Sequence, residues 1–218
     1  MLDATLHATY RRLIYFVGFA TIGWTLYVVL MKVMPLPFAH ENLRAVVRVA
    51  VVLLPALYYV IRHQPLPIAD ALQLRQNWRK GVLVGGGVAL VYLVLITAQD
   101  PRAVVLKMPI GFSTWFNYII GSPLAEEILY RGVLFQYLSQ HMTLWRAALL
   151  STAAFTLLHI PVWILLNEFS APQLMTSVLQ IVAYGIVFAL LCRFTRSLWA
   201  PLTAHWLNNL ILSVVVRL

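Results

Sequence analysis

Two adjacent glutamates and an arginine stand together in SPLAEEILYRG, residues 122–132. Glu127 and Arg131 are four residues apart, so on a helix they share a face, with the acid N-terminal as an intrahelical ion pair prefers. Glu126 is rotated by about 100° from Glu127 and is left without that cation. In a low-dielectric setting, a carboxylate held by a cation is a fixed charge, whereas one without a cation is placed to take or give a proton. Two further spacings supply partners. FTLLHIP sets Phe155 and His159 at i, i+4, and HWLNN sets His205 and Asn209 at i, i+4 with Asn208 alongside as a supporting residue. A free carboxylate, two imidazoles and a carboxamide suit the activation of water. Glu126, helped by His159, would take a proton from water attacking a carbonyl, and His205 and Asn209 would donate hydrogen bonds to the oxyanion that develops. Peptide-bond hydrolysis is the chemistry that follows. A purely structural reading takes Ser122 as an N-cap and Pro123 as the first helical residue, with both glutamates near the positive end of a helix dipole. It accounts neither for Arg131 nor for Ala125 at the position where a capping-box acid would stand.

The elements that carry these groups are membrane helices. The chain has 218 residues, 61% hydrophobic and 11% charged, with a mean hydropathy of +0.82, well outside the range of soluble globular domains. Residues 13–31, 81–99 and 147–167 contain no Asp, Glu, Lys or Arg, and each is about as long as a helix crossing roughly 30 Å of hydrocarbon. A β-barrel would show short alternating segments instead. The expected fold is all-α: a polytopic helical bundle forming a single membrane domain over 1–218, with N-terminal helices in 1–107, a catalytic core in 108–216 and the active site inside the bundle. Crossings are expected at about 13–33, 45–62, 81–98, 108–139, 147–166, 174–192 and 198–216. The 62–80 connection suits a loop or a helix lying at the headgroups, and Gly85, Gly86 and Gly87 suit close approach of another helix. A carboxylate or guanidinium at mid-bilayer costs about 2.5–3.5 kcal/mol, so Glu126, Glu127 and Arg131 need partners and mark function. The other acids, Asp3, Glu41, Asp70, Asp100 and Glu168, fall in or near connections, and the first three spans are expected to add no binding groups.

The net charge of +9 is not a nucleic-acid footprint. The basic residues are scattered at the ends of apolar runs (among them Arg11, Arg12, Lys32, Arg44, Arg102, Lys107 and Arg217), where they anchor and orient helices. Counted alternately, Arg11, Arg12, the 62–80 connection, Arg146, Arg193 and Arg196 fall on one side, and the 167–173 connection with Glu168 on the other. This predicts a cytoplasmic N-terminus and residence in a prokaryotic plasma membrane. MLDATLHATYRR lacks a short apolar region with a cleavage site and reads as a mature start. Cys192, the single cysteine, excludes an internal disulfide and a CxxC motif and reads as an apolar filler.

At these residues the sequence resembles the CAAX-protease and bacteriocin-processing (CPBP, or Abi) family of intramembrane endopeptidases. Its motifs EExxxR, FxxxH and HxxxN match Glu126, Glu127 and Arg131; Phe155 and His159; and His205 and Asn209, in order along successive spans. The stretch GIVFALLCRFTRSLWAPLTAHWLNN, 185–209, is similar to the family's approach to its last histidine, and the likeness covers about 110–212. The resemblance implies a glutamate-dependent protease in which Glu126 and His159 activate water, His205 and Asn209 line the oxyanion site, and Glu127 and Arg131 support them. It implies a membrane-associated or lipid-modified protein or peptide as substrate; from the residues themselves no nucleic acid and no cofactor are expected, with zinc as the alternative. Members are commonly drawn with eight helices, against the seven counted here.

Several rivals share these residues. Zinc could sit on the glutamate and two histidines, but HExxH is lacking and a thermolysin-like site would carry both histidines on one helix. GFST at 111–114 is similar to a rhomboid serine motif except for Thr114 at its last position, so Ser113 reads as a helix-start residue. A proton-coupled transporter would distribute its groups over two related halves, and a non-catalytic immunity or scaffold protein would keep the fold alone.

Overall fold

The computed structural model describes residues 2–33, 41–99, 105–106 and 111–216. The side chains of Asp3, Arg11, Arg12, Glu41, Asp100, Arg102, Lys107 and Arg217 lie outside the described residues, so the expectations placed on them are not addressed. Apart from one two-residue ladder, the described chain is helical. The elements are α1 (Leu2–Val33), α2 (Glu41–His63), the single turn α3 (Ile68–Ala71), α4 (Trp78–Gln99), a long rod α5 (112–141), a second rod α6 (144–166), α7 (Ala171–Thr195) and α8 (Trp199–Val214). Continuous helix is what apolar sequence must form in lipid, because each backbone polar group has to find its partner within the segment. Tyr15–Val33, Asn42–His63, Trp78–Ala98, Leu144–Leu166 and Ala171–Thr195 are long and apolar enough to cross a membrane.

Burial is inverted relative to a soluble protein. Phe19 is 70% and Leu83 75% exposed, whereas Glu127 and Arg131 are 0% exposed at the centre of the bundle. An apolar outer surface around buried charge is the arrangement lipid selects. The protein is a polytopic integral membrane protein.

Contacts between connections agree with helices that run alternately up and down. At one end the Trp199 indole N–H donates to Leu74 O at 2.8 Å, and Asn77 Nδ2 donates to Thr195 O at 3.0 Å. At the other end the Lys32 ammonium pairs with Glu168, and Val105–Leu106 forms an antiparallel ladder with Val215–Val216. The 62–80 connection contains the turn α3 and then runs into α4. Gly81 and Gly85 let α4 lie against α8: a Cβ on Gly85 would stand 2.4 Å from Ala200 O, whereas Gly86 and Gly87 face open space.

The expected element at 108–139 is observed as one continuous rod, and the helix start at Ser122–Pro123 that the purely structural reading takes is not. Helix is continuous from 112 to 141, with π turns over Thr114–Gly121 and Ile128–Phe135 flanking a short α segment, Ser122–Glu127. Pro123 is therefore interior to the rod, and the Ser122 hydroxyl caps nothing; it donates to Asn117 Oδ1 at 3.0 Å. The irregular turn before the proline absorbs its missing N–H, as π turns do at functional sites.

Candidate active site

The paired glutamates lie on the central rod α5, and their side chains diverge as helical rotation requires. Glu127 Oε1 receives the Arg131 Nη1 proton at 2.9 Å, one turn away on the same face. The same oxygen lies 3.0 Å from Nδ1 of His205, which α8 brings in. Arg131 is further fixed between the rings of Phe155 and Phe188, at 4.3 and 5.4 Å from their centroids. Its Nη2 donates to Gly185 O at 3.3 Å. That carbonyl is within reach because Gly185 has no side chain: a Cβ there would stand 2.5 Å from Thr152 Cγ2 on α6.

Glu126 sits on the other side of the rod and accepts no hydrogen bond among the described residues. Its Oε2 faces two imidazole nitrogens, Nε2 of His159 at 3.9 Å and Nε2 of His205 at 4.0 Å. Both rings are oriented from behind. His159 Nδ1 lies 2.9 Å from Phe155 O, and since a carbonyl only accepts, Nδ1 carries the proton. The neutral ring then turns a lone pair toward Glu126. His205 has the carboxylate of Glu127 in the same place, so it too presents Nε2 to the cleft. Aromatic rings hold both imidazoles: Phe155 and Trp163 lie 4.8 and 5.5 Å from the His159 ring, and Phe188 lies 5.1 Å from that of His205.

Asn208 and Asn209 complete the wall. Asn209 Nδ2 donates one of its two protons to Tyr118 O at 2.8 Å, and Asn208 Nδ2 lies 3.4 Å from Asn209 Oδ1. The accepting Tyr118 carbonyl belongs to the π turn of α5. Asn208 Oδ1 is buried without a hydrogen-bond partner among the described residues. Glu126, Phe155, His159, His205, Asn208 and Asn209 all line one cavity of about 380 Å³. Glu127 and Arg131 stand behind it. The separations around Glu126 leave room for one small polar molecule touching a carboxylate and an imidazole together, the geometry that water activation requires.

Residues 108–211 match the family model described as type II CAAX prenyl endopeptidase Rce1-like. Over this stretch, a little under half of the chain, the sequence is similar to the Rce1-like CAAX-protease family. A search of curated proteins returns no match. Every motif residue identified from sequence lies within the CAAX-protease match, and the family is one of intramembrane endopeptidases acting on membrane-associated substrates.

The rivals fare differently against the geometry. Ser113 lies at the start of α5 and lines a second cavity, of about 500 Å³, that no histidine among the described residues borders. Among the described residues no group of three or more His, Cys, Asp or Glu side chains is disposed to hold a metal ion. Cys192 is buried in the apolar core.

One site residue was missed from sequence. The first three spans do contribute to the cleft: Arg48 on α2 lines both cavities, together with Trp24 of α1. Its guanidinium lies 5.4 Å from the Trp24 ring centroid and forms no ion pair with a described residue. A signal was present, since Arg48 stands inside an apolar run one helical turn beyond Arg44.

Proposed function

We propose that this protein is a glutamate-dependent intramembrane endopeptidase acting on a membrane-associated or lipid-modified protein or peptide. The observation that carries the reading is the position of Glu126 Oε2, which faces His159 Nε2 at 3.9 Å and His205 Nε2 at 4.0 Å in one cavity. Water bound there gives a proton to Glu126 as its oxygen attacks the scissile carbonyl, with His159 holding the water through Nε2. Charge moves to the carbonyl oxygen. Asn209 donates to it through the proton not engaged by Tyr118, and His205, when it carries its second proton, donates through Nε2–H. As the C–N bond breaks, the proton held by Glu126 passes to the leaving nitrogen, which restores the Glu126 carboxylate and frees an amine and a new carboxylic acid.

Arg131 offsets Glu127, and Arg48 brings a positive charge to the wall of the cavity that holds Glu126. The reaction is metal-independent in this account, because the groups that would bind zinc are already used as base and hydrogen-bond partners. Purified protein that keeps full cleavage activity in strong chelator agrees with it, and activity that is lost in chelator and restored by zinc refutes it. The basic 62–80 connection supports a cytoplasmic N-terminus in a prokaryotic plasma membrane. Comparing membrane proteins from cells with and without the protein, for newly unprocessed ends, identifies the substrate.

A further inference from the structure

At the end of the bundle that carries the basic 62–80 connection, a recess of about 220 Å³ lies between the last turn of α7, the end of α5 and the connection itself. Its polar lining is Arg193, Arg196, Gln73, Gln136, Ser139 and Gln140, and no acidic side chain among the described residues borders it. Asp70 lines an adjoining recess, where Arg75 pairs with it at 3.4 Å. Neither Arg193 nor Arg196 forms an ion pair or a side-chain hydrogen bond with a described residue. Gln136 Nε2 is buried without an acceptor among the described residues. The backbone is shaped around these donors. Arg196 ends α7 in the left-handed conformation, φ +53°, with its N–H bonded to Cys192 O at 3.0 Å. Glycine takes that position without strain, so an arginine there points to a use for its side chain. Gln73 is also left-handed, φ +53°, and its carbonyl accepts the Leu198 N–H at 3.3 Å, which closes the connection over the turn after α7. Lys80 Nζ donates to Phe194 O at 3.5 Å and adds a further positive charge beside that turn. The apolar span of α7 ends at Thr195 and that of α4 begins at Trp78, so the recess lies at the level of the headgroups.

We infer that this recess binds a phosphate group, supplied by an anionic lipid headgroup or by free phosphate. Guanidinium groups pair with phosphate oxygens through parallel hydrogen bonds, and a phosphate gives the buried Gln136 amide the acceptor it lacks. Basic pockets between membrane helices at headgroup level hold anionic lipids in this way. The space equals that of about seven water molecules, enough for a phosphate and the small alcohol it carries, with acyl chains left outside. Arginines at a helix end also serve simply to anchor and orient a span. That role requires no recess, no buried amide donor and no left-handed arginine. The recess shares no lining residue with the Glu126 cleft, so the site is separate from hydrolysis. A bound phosphate bridges α7, whose Gly185 carbonyl receives Arg131, to the far end of the rod that carries Glu126.

The test is isothermal titration of the purified protein in dodecyl maltoside with dihexanoyl phosphatidylglycerol, dihexanoyl phosphatidylcholine and inorganic phosphate. Phosphatidylglycerol is expected to bind about tenfold tighter than phosphatidylcholine, whose choline would face the two arginines. Arg193→Gln and Arg196→Gln are each expected to weaken it about tenfold. Gln136→Leu, which alters no charge, is expected to weaken it about threefold. Arg62 and Arg146 are exposed at the same end of the bundle and lie outside the recess. The double variant Arg62→Gln/Arg146→Gln is expected to leave the affinity within about twofold of wild type, since screened charges outside the site add little. Unfolding midpoints recorded alongside show that each variant is folded. Inorganic phosphate that displaces the lipid shows that the phosphate alone suffices, and phosphate that does not displace it assigns the site to a headgroup; the inference holds in both cases. Equal affinity for the two lipids without phosphate binding overturns it, as does undetectable binding of phosphatidylglycerol and phosphate alike. So does a loss in Arg62→Gln/Arg146→Gln as large as in the recess variants, which would mark general attraction to anionic lipid, or an affinity that all three recess variants leave unchanged.

Discussion

Arg131 Nη1 and His205 Nδ1 converge on one oxygen, Glu127 Oε1, at 2.9 and 3.0 Å. A single carboxylate oxygen thereby joins a charge on the central rod to a ring on the last helix. The rod and the last helix cannot shift relative to each other without breaking the buried contact between His205 and Glu127 or turning the imidazole out of the cleft. Folding and the geometry of the site are coupled through that atom.

Glu127→Gln and Arg131→Met are each expected to lower stability by about 3–5 kcal/mol, the cost of leaving a buried charge unpaired. Thermal unfolding in detergent reads this directly. The double variant is expected to lose less than the sum of the two single losses, because it leaves neither charge orphaned.

His159 and Asn209 touch the cavity and carry little of the packing. His159→Gln is expected to lower kcat by about 10²–10⁴-fold, and Asn209→Ala by about 10²–10³-fold with KM little changed. Unfolding midpoints near wild type would show that these are losses of chemistry. A fall in kcat matched by a comparable fall in midpoint would assign the residues to structure instead.

Gly185 sits where α7 touches α6 and supplies the carbonyl that Arg131 uses. Gly185→Val is expected to cost about 1–3 kcal/mol by overpacking against Thr152. Activity is expected to fall as well, measured in the folded fraction, because Arg131 loses an acceptor and Glu127 loses its fixed position.

The Lys32–Glu168 pair is a contrasting case at the bundle end. A hydrogen bond from Lys32, together with its positive charge, holds the Glu168 carboxyl below the usual carboxylate range. A carboxyl depressed in the folded state contributes stability above its unfolded value and loses that contribution as pH falls through the folded one. The pair is solvent-exposed, so the contribution is small. Glu168→Gln is expected to leave the unfolding midpoint at neutral pH nearly unchanged and to flatten slightly its acid-side decline.

What the sequence disclosed followed from local spacing. The long helices are legible because apolar runs of spanning length admit no other structure in lipid, and Glu127–Arg131 because i, i+4 is a contact that one helix makes by itself. The contact between His205 and Glu127 is not local: the two residues are 78 apart in sequence, and no periodicity predicts which acid of the pair the ring will meet. Ser122–Pro123 misleads for a related reason. The dipeptide carries the usual signature of a helix start, but the π turn before it accommodates a proline in mid-rod. Spacing alone does not single out Arg48, since its significance comes from the cavity that α1, α2 and α5 enclose together.

The account stands on Glu126 as the base that activates water. Its most direct test is the turnover of one prenylated peptide by wild-type and Glu126→Gln protein, purified side by side and reconstituted in the same liposomes. The account predicts cleavage by the wild type and no detectable cleavage by the variant, at equal insertion and equal unfolding midpoint. Turnover by Glu126→Gln at the wild-type rate would contradict it.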